Sequence, residues 1–194
     1  MGSILRAQDE TRESIMTRLV SKYVFGDKIQ IVTNKAQQVR GVDAICNGVN
    51  IDFKFQVGNK YIGNPTDTFS LELQTDNRYG ETMIGWFLDE DKITDEYGFV
   101  WITKGTAIPF VVEEIEYMQV NIAALKEALF KEISLSQIDK WCEELYGTRD
   151  RIYCSSNYRV VSSGQLFERP INLVVSKNYL KKFATKYCIV PCCD

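Results

Sequence analysis

GVDAICNGVNIDFKFQ, residues 41–56, is the stretch on which the reading of the chain turns. Asn47-Gly48 at its centre is a strong signal for a two-residue hairpin, because a type I′ turn needs positive φ at both central positions. With that turn, Cys46 pairs with Val49, Ala44 faces Ile51 and Val42 faces Phe53, giving an apolar row. On the other face Ile45 meets Asn50, and Asp43 falls opposite Asp52. Strand residues alternate between faces, so Lys54 and Gln56 follow Asp52. Directly opposed residues have Cβ atoms about 4.5–5.5 Å apart, and like charges there are destabilising. Two carboxylates so placed call for a proton, a cation or a metal between them. Mg²⁺ takes oxygens of this kind and keeps several waters. The plainer alternative is an exposed hairpin face carrying an Asp–Lys ion pair.

Upstream, Ile15, Met16, Leu19, Val20, Tyr23 and Val24 recur at helical spacing, with Asp9 as N-cap and Gly26 as stop. They predict an amphipathic helix over 10–24. Short β-like runs follow at 28–33, 38–46, 49–56, 68–74 and 97–102. Between the last two lies GETMIGWFLDEDKITDE, residues 80–96, a turn-rich link whose Trp86 and Phe87 are expected to cover a sheet edge. A strand over 109–120 comes next. Asn121 can cap a helix lined by Ile122, Leu125 and Leu129. Ser134-x-x-Gln137 has capping-box form, and Leu135, Ile138, Trp141, Cys142 and Leu145 mark its buried stripe before Gly147. Residues 157–175 read as a two-stranded addition, and Ser176 opens a short terminal helix with Lys177, Lys181 and Lys182. There is no internal repeat or linker, and 194 residues suit one domain.

An apolar fraction of 45% and a charged fraction of 25% are those of a globular chain with a core. The apolar runs are short, such as 108–112 with a proline inside, so no membrane span is expected. The start, MGSILRAQDETRES, lacks an apolar stretch of signal-peptide length, and Arg6 stands where a myristoylation motif needs Ser or Thr. A cytoplasmic protein is expected. Cys46, Cys142, Cys154, Cys188, Cys192 and Cys193 read as reduced thiols rather than a zinc clip, since paired knuckles are missing. The absence of histidine removes Ser-His-Asp, Cys-His and His-ligated metal chemistry, leaving carboxylates, lysine, tyrosine or thiol. Net charge is −3, yet residues 21–60 hold six Lys/Arg against three Asp/Glu, and residues 176–187 hold four lysines and no acid. Acids gather at 89–96 and 113–116.

Gly41-Val42-Asp43, a hairpin turn and Asp52-x-Lys54, behind a leading helix, together resemble the PD-(D/E)XK nuclease superfamily. That superfamily includes many restriction enzymes, Holliday-junction resolvases and phage or repair exonucleases. The resemblance implies an α/β fold: a restriction-endonuclease-like αβββαβ core with a mixed central sheet flanked by helices, over 9–103. Residues 104–194 would be a C-terminal α+β extension. It implies Asp43 and Asp52 as ligands of Mg²⁺ or Mn²⁺, and Lys54 as the residue that positions or activates the attacking water. Val42 stands where the superfamily name has proline. Many members add a Glu from the first helix; Glu13 lies near Val20 at the rim of the apolar face, while Glu10 points further out.

In residues 68–74 the polar row is Ser70, Glu72 and Gln74. If that strand neighbours the strand of Asp52, Glu72 becomes a third carboxylate. TFxLEL followed by GW and a Tyr/Phe-rich strand also looks like a phage or mobile-element branch. An alternative assignment makes Asp52 the first acid of the motif and Glu72-x-Gln74 its degenerate third part. The expected activity is hydrolysis of DNA phosphodiester bonds, with Lys177, Lys181 and Lys182, and beside them Arg149 and Arg151, on phosphates. RNA as substrate, endo- against exonucleolytic cleavage and a homodimer all stay open. Two rivals stand beside it: a nuclease fold that binds nucleic acid or a protein but no longer cuts, and an interaction protein whose acidic stretches dock basic partners.

Overall fold

Helix α1 spans Gly2–Leu19 in the computed structural model, which describes residues 2–77 and 79–192, with side chains from Thr11 onward. It starts before Asp9, which therefore lies inside the helix rather than capping it. A π-helical turn, Val20–Val24, continues it, and Gly26, at φ 57°, stops it as expected. Met16 and Val20 are fully buried. Arg12 fastens the helix, donating to the carbonyl oxygens of Val57 and Ala107 at 3.1 Å each. None of the described helices is long and apolar enough to cross a membrane.

Two compact units share the chain, each discontinuous in sequence. Residues 1–66, 93–122 and 184–194 make the first. Its mixed sheet has six strands: β1 (Gln30–Ile31), β2 (Ala44–Cys46), β3 (Val49–Gln56), and, further along the chain, Glu96–Thr106, Val111–Asn121 and Ala184–Pro191. The order in the sheet is the order in the chain. The first three strands are antiparallel neighbours, β3 and Glu96–Thr106 are parallel, and the rest are antiparallel.

The Asn47-Gly48 turn has positive φ at both residues, 51° and 82°. The register is the expected one, Cys46 on Val49, Ile45 on Asn50 and Ala44 on Ile51. Residues 38–43, expected as strand, are instead mostly helix α2 (Lys35–Val39) and its exit. The Asn34 side chain caps that helix by accepting from Ala36 N at 2.9 Å, and Gly41 leaves it at φ 77°.

One face of this sheet carries Ile51, Phe53, Val100, Ile102, Ile115 and Tyr117, which form a single cluster with Met16 of α1 and Val20 of the π-helical turn. Full burial of side chains this large stabilises by about 1.5–3 kcal/mol each. Gly98 sits opposite Phe53 in the ladder, and a Cβ there would lie 2.6 Å from the Phe53 ring, so the glycine makes room for it. A buried polar chain ties the sheet's far edge. Tyr117 donates to Gln119 Oε1 at 2.9 Å, Gln119 donates to Glu96, and Thr185 donates to Glu96 Oε2 at 3.1 Å.

The second unit is residues 67–92 and 123–183. Its antiparallel sheet contains β4 (Thr68–Asp76) and β5 (Thr82–Ile84), and with the strands of the first unit's far half numbered β6 (Glu96–Thr106) and β7 (Val111–Asn121), its others are β8 (Arg151–Tyr153), β9 (Tyr158–Ser162) and β10 (Ile171–Ser176). The order is β5-β4-β10-β9-β8. Helix α3 (Ile122–Glu132) is followed by α4 (Leu135–Leu145), whose cap is the expected one: Ser134 Oγ accepts from Gln137 N at 3.2 Å. Phe87 is buried, and Gly85 N and Phe87 N donate to Leu73 and Glu72 carbonyls at the edge of β4, where Trp86 and Phe87 were expected. Asp76, 3% exposed, accepts from Arg169 Nε at 2.5 Å.

The helix opened by Ser176 is α5 (Lys177–Leu180), one turn capped by Ser176 accepting from Tyr179 N at 3.2 Å. It is not terminal. The chain continues through a 3-10 turn into β11 (Ala184–Pro191), which pairs with β7. Exposure alternates along that strand, Tyr187 and Ile189 lying on the exposed row and Lys186 on the less exposed one, so no polar and apolar alternation in the sequence announced it. Cys46, Cys142, Cys154, Cys188 and Cys192 are free thiols, and Cys193 lies outside the described residues.

Candidate active site

Asp43 and Asp52 meet as the hairpin predicts, but not by simple opposition in the ladder. Backbone pairing ends at Ala44 on Ile51, so Val42 is not paired with Phe53. Asp43 N donates to Ile51 O at 2.9 Å, and its carboxylate turns inward, Oδ2 accepting from Phe53 N at 2.8 Å. The side chain thus takes the place of a strand neighbour for Phe53, which fixes it beside Asp52. Lys54 Nζ lies 2.9 Å from Asp52 Oδ2.

This face is not the solvated one of the plainer alternative. The side chain of Asp52 is 8% exposed and that of Lys54 22%. In the parallel ladder Asp52 is level with Tyr97, Lys54 with Phe99 and Gln56 with Trp101, and residues level in a ladder share a face. Those aromatic side chains are buried and pack as neighbouring tilted rings, with centroids 5.8 and 6.2 Å apart. The carboxylates therefore border a buried aromatic row. Burial pushes the Asp43 carboxyl up to about 6, and the charge of Asp52 and a hydrogen bond with it push the same way. The Phe53 N–H and the Lys54 ammonium pull against them. At mildly acidic pH the pair holds one proton that an isolated aspartate would have lost.

Three residues that the sequence left in an acidic, turn-rich link position this hairpin. Ile93 N donates to Arg40 O at 3.0 Å, and Thr94 Oγ1 donates to Gly41 O at 2.6 Å. Asp95 Oδ2 accepts from Asn50 N at 2.8 Å, and Asp95 N donates to Asn50 O at 2.9 Å. The link grips the chain just before Asp43 and just before Asp52. Only the Thr-Asp pairing, a common capping and turn dipeptide, hinted at this. Gln56, next in the row after Lys54, closes the following loop through two hydrogen bonds with Thr66, at 2.8 and 3.0 Å.

The other expected residues are not brought to this pair by the elements that carry them. Glu13 is exposed on α1, which packs on the Ile51 and Phe53 face, while alternation sends Asp52 to the opposite face. The side chain of Glu10 lies outside the described residues. Glu72 sits on β4, whose sheet neighbours are β5 and β10; its ladder partner is Asn172, and β3 is flanked by β2 and β6. The condition under which Glu72 would have been a third carboxylate is therefore unmet, as is the neighbour relation for Glu72-x-Gln74. Among the described residues no group of three Asp, Glu or Cys is arranged to hold a metal. Of the lysines expected on phosphates, Lys177 is buried, 9% exposed, whereas Lys181 and Lys182 are exposed, Lys182 lying 4.9 Å over the Tyr179 ring. Arg149 and Arg151 are exposed.

No family model, no curated protein and no solved structure matches the chain.

Proposed function

We propose that the first unit is a metal-dependent nuclease of the PD-(D/E)XK kind, hydrolysing DNA phosphodiester bonds. The observation that carries this reading is the Asp43–Asp52 pair, held in contact in a poorly hydrated setting with Lys54 beside it. Fold order supports it in part: a leading helix, three consecutive antiparallel strands, then a parallel strand in a mixed sheet. It departs from αβββαβ between β3 and β6, where the connection runs through β4 and β5 with no α-helix among the described residues.

The donor set fits a hard divalent cation. Two adjacent carboxylates that keep a shared proton well above the usual range are a site where a cation can replace that proton. Mg²⁺ or Mn²⁺ would be held by Asp43 and Asp52, with waters filling the remaining positions, as Mg²⁺ tolerates with only one or two protein carboxylates. When bound, such an ion supplies Lewis-acid polarisation of the phosphate and a more acidic water. Asp43 is oriented for this by Phe53 N, and Asp52 by its strand. Lys54 provides a fixed positive charge where negative charge grows on the phosphate. Lysines 181 and 182 remain candidates for phosphate contacts; Lys177 does not, because its side chain is buried.

A second reading has its own observation. With two carboxylates gathered and no third among the described residues, the same unit suits a nuclease fold that binds nucleic acid or a protein without cutting. One experiment separates them. The protein is incubated with single-stranded, double-stranded and branched DNA in Mg²⁺, in Mn²⁺ and in EDTA. Cleavage in either metal that EDTA stops supports the first reading. Binding without cleavage in all conditions supports the second.

A further inference from the structure

The second unit holds a groove of about 820 Å³ bounded by β5, the 88–91 segment, α3 and α4. Its floor is apolar, with Leu73, Leu88, Phe130 and Ile138. Large apolar side chains at its margin stay open to solvent: Met83 is 50% exposed, Ile84 70% and Leu135 59%. Leu135 is the one residue of the α4 stripe that helical spacing assigns to the core and that the unit leaves uncovered. Contiguous apolar surface of this kind marks a binding site more often than scattered exposure does.

The rim selects the occupant. Asp89, Glu90, Asp91, Asp139 and Glu143 line it, against the ammonium of Lys126 in the lining and that of Lys92, 3.8 Å from Asp89 Oδ2. Lys126 is half-buried, its nitrogen 5.4 Å from the centre of the Phe87 ring, and its charge offsets only part of that of Glu90 and Asp89, so the rim stays net acidic. Such a rim repels a polyanion and attracts a cation. The neighbouring strand favours a polypeptide over a compact small molecule. β5 is the edge of its sheet, and the bonds Asn77 N to Glu81 O and Gly85 N to Leu73 O set the alternation of the hairpin. That alternation turns the backbone groups of Thr82 and Ile84 away from β4, toward the free edge.

We propose that this groove docks a cationic amphipathic segment of a partner protein. Apolar side chains of the segment cover Met83, Ile84 and Leu135, and its Lys or Arg side chains meet the carboxylates of the 89–91 segment and of α4. The inference concerns the second unit and does not depend on nuclease chemistry in the first.

The probe is a fluorescein-labelled twelve-residue peptide of leucine and lysine, read by fluorescence anisotropy with the full chain. Two altered peptides accompany it, one with Glu for Lys and one with Ser for Leu. The rim variant is Asp89→Asn/Glu90→Gln/Asp91→Asn, and the floor variant, which alters the exposed apolar margin above the floor, is Ile84→Ser/Leu135→Ser. A control variant, Glu127→Gln/Glu144→Gln/Asp150→Asn, removes as many exposed acids outside the groove. All substitutions are at exposed or half-exposed positions, and circular dichroism verifies folding. The expected result is a roughly tenfold weaker affinity for the rim variant and a comparable loss for the floor variant. The control keeps parental affinity, and neither altered peptide binds. Equal losses in rim and control variants would reduce the effect to general acidity and overturn the proposal. Unchanged affinity in both groove variants overturns it as well. So does a parent that self-associates in sedimentation while the floor variant is monomeric, since the occupant is then a second copy of this chain.

Discussion

Replacing Asp43 with Asn removes one charge from the carboxylate pair at nearly constant shape, and the amide oxygen can still accept from Phe53 N. In the metal-free parent the Asp43 carboxyl titrates near 6, against 3.8 for an unperturbed group. A group whose folded pKa is raised contributes stability that is complete below the unfolded value and is lost as pH rises through the folded one. Between pH 4 and pH 7 the parent should therefore lose stability from this group. The rise from 3.8 to about 6 corresponds to about 3 kcal/mol, since each pH unit is worth roughly 1.36 kcal/mol. For a chain of this size that is roughly 6–12 °C in melting temperature, an upper figure because other groups titrate in the same window. The Asn variant has no such loss, so its advantage over the parent should grow across pH 4–7 and level off above it. The assay is urea denaturation in EDTA at one-unit pH steps. Adding Mg²⁺ or Mn²⁺ at pH 7.5 should then stabilise the parent by mass action and leave the variant nearly unmoved. Parallel pH curves for the two proteins would refute the burial and charge argument. An equal metal-induced rise in both would refute the assignment of Asp43 as a ligand.

Asp52→Asn and Lys54→Ala should each abolish cleavage; a purified variant that cuts DNA at near-parental rate removes that residue from the site. Lys54→Ala should also lower stability at pH 7.5 and regain part of it with Mg²⁺, since it leaves Asp52 buried beside Asp43 without its ion pair, and a metal-independent melting temperature would contradict this. Lys181→Ala/Lys182→Ala should weaken DNA binding and shallow its salt dependence, whereas Lys177→Ala should chiefly reduce stability; an unchanged slope of log affinity against log salt takes the exposed pair out of the substrate path. Arg169→Ala should destabilise the second unit by about 3 kcal/mol in denaturant titration by stranding the buried Asp76 carboxylate, and a change below about 1 kcal/mol would mean that water reaches it.

The hairpin was legible because its determinants are local. Asn47-Gly48 leaves few turn geometries, the turn fixes the register, and the register places every side chain from Ala44 to Ile51. The helix α4 was legible for the same reason, through Ser134 and Gln137. What escaped depends on residues far apart. Residues 38–43 alternate in a strand-like way, yet the cap at Asn34 and the left-handed Gly41 decide for helix α2. Glu72 sits on a strand of the expected polar and apolar alternation, but no local pattern says whether β4 joins β3 or β10. The same limit applies to Glu13: a helical wheel gives its angle around α1, not the face of the sheet that α1 covers. The burial of Asp52 depends on which aromatic residues share its row in β6, through a parallel pairing that the sequence does not announce.

The grip of residues 93–95 on both ends of the hairpin bears on when the site can exist. The β2–β3 turn needs only its own neighbourhood and can close as soon as residues 44–51 are available. The bracing of Gly41 and Asn50, which flank the two acids, waits for Thr94 and Asp95, which arrive after the chain has passed through β4 and β5. The entropic cost of closing so long a loop rises by only about 0.6 kcal/mol per doubling of its length, so an excursion of this size is tolerable in equilibrium terms. In time, however, the ordering is strict. A nascent or truncated chain ending before residue 93 carries the hairpin and its acids without the clasp that braces their flanking residues. The braced form of the hairpin is thus a late property of the growing polypeptide, acquired only after an intervening piece of the second unit has been made.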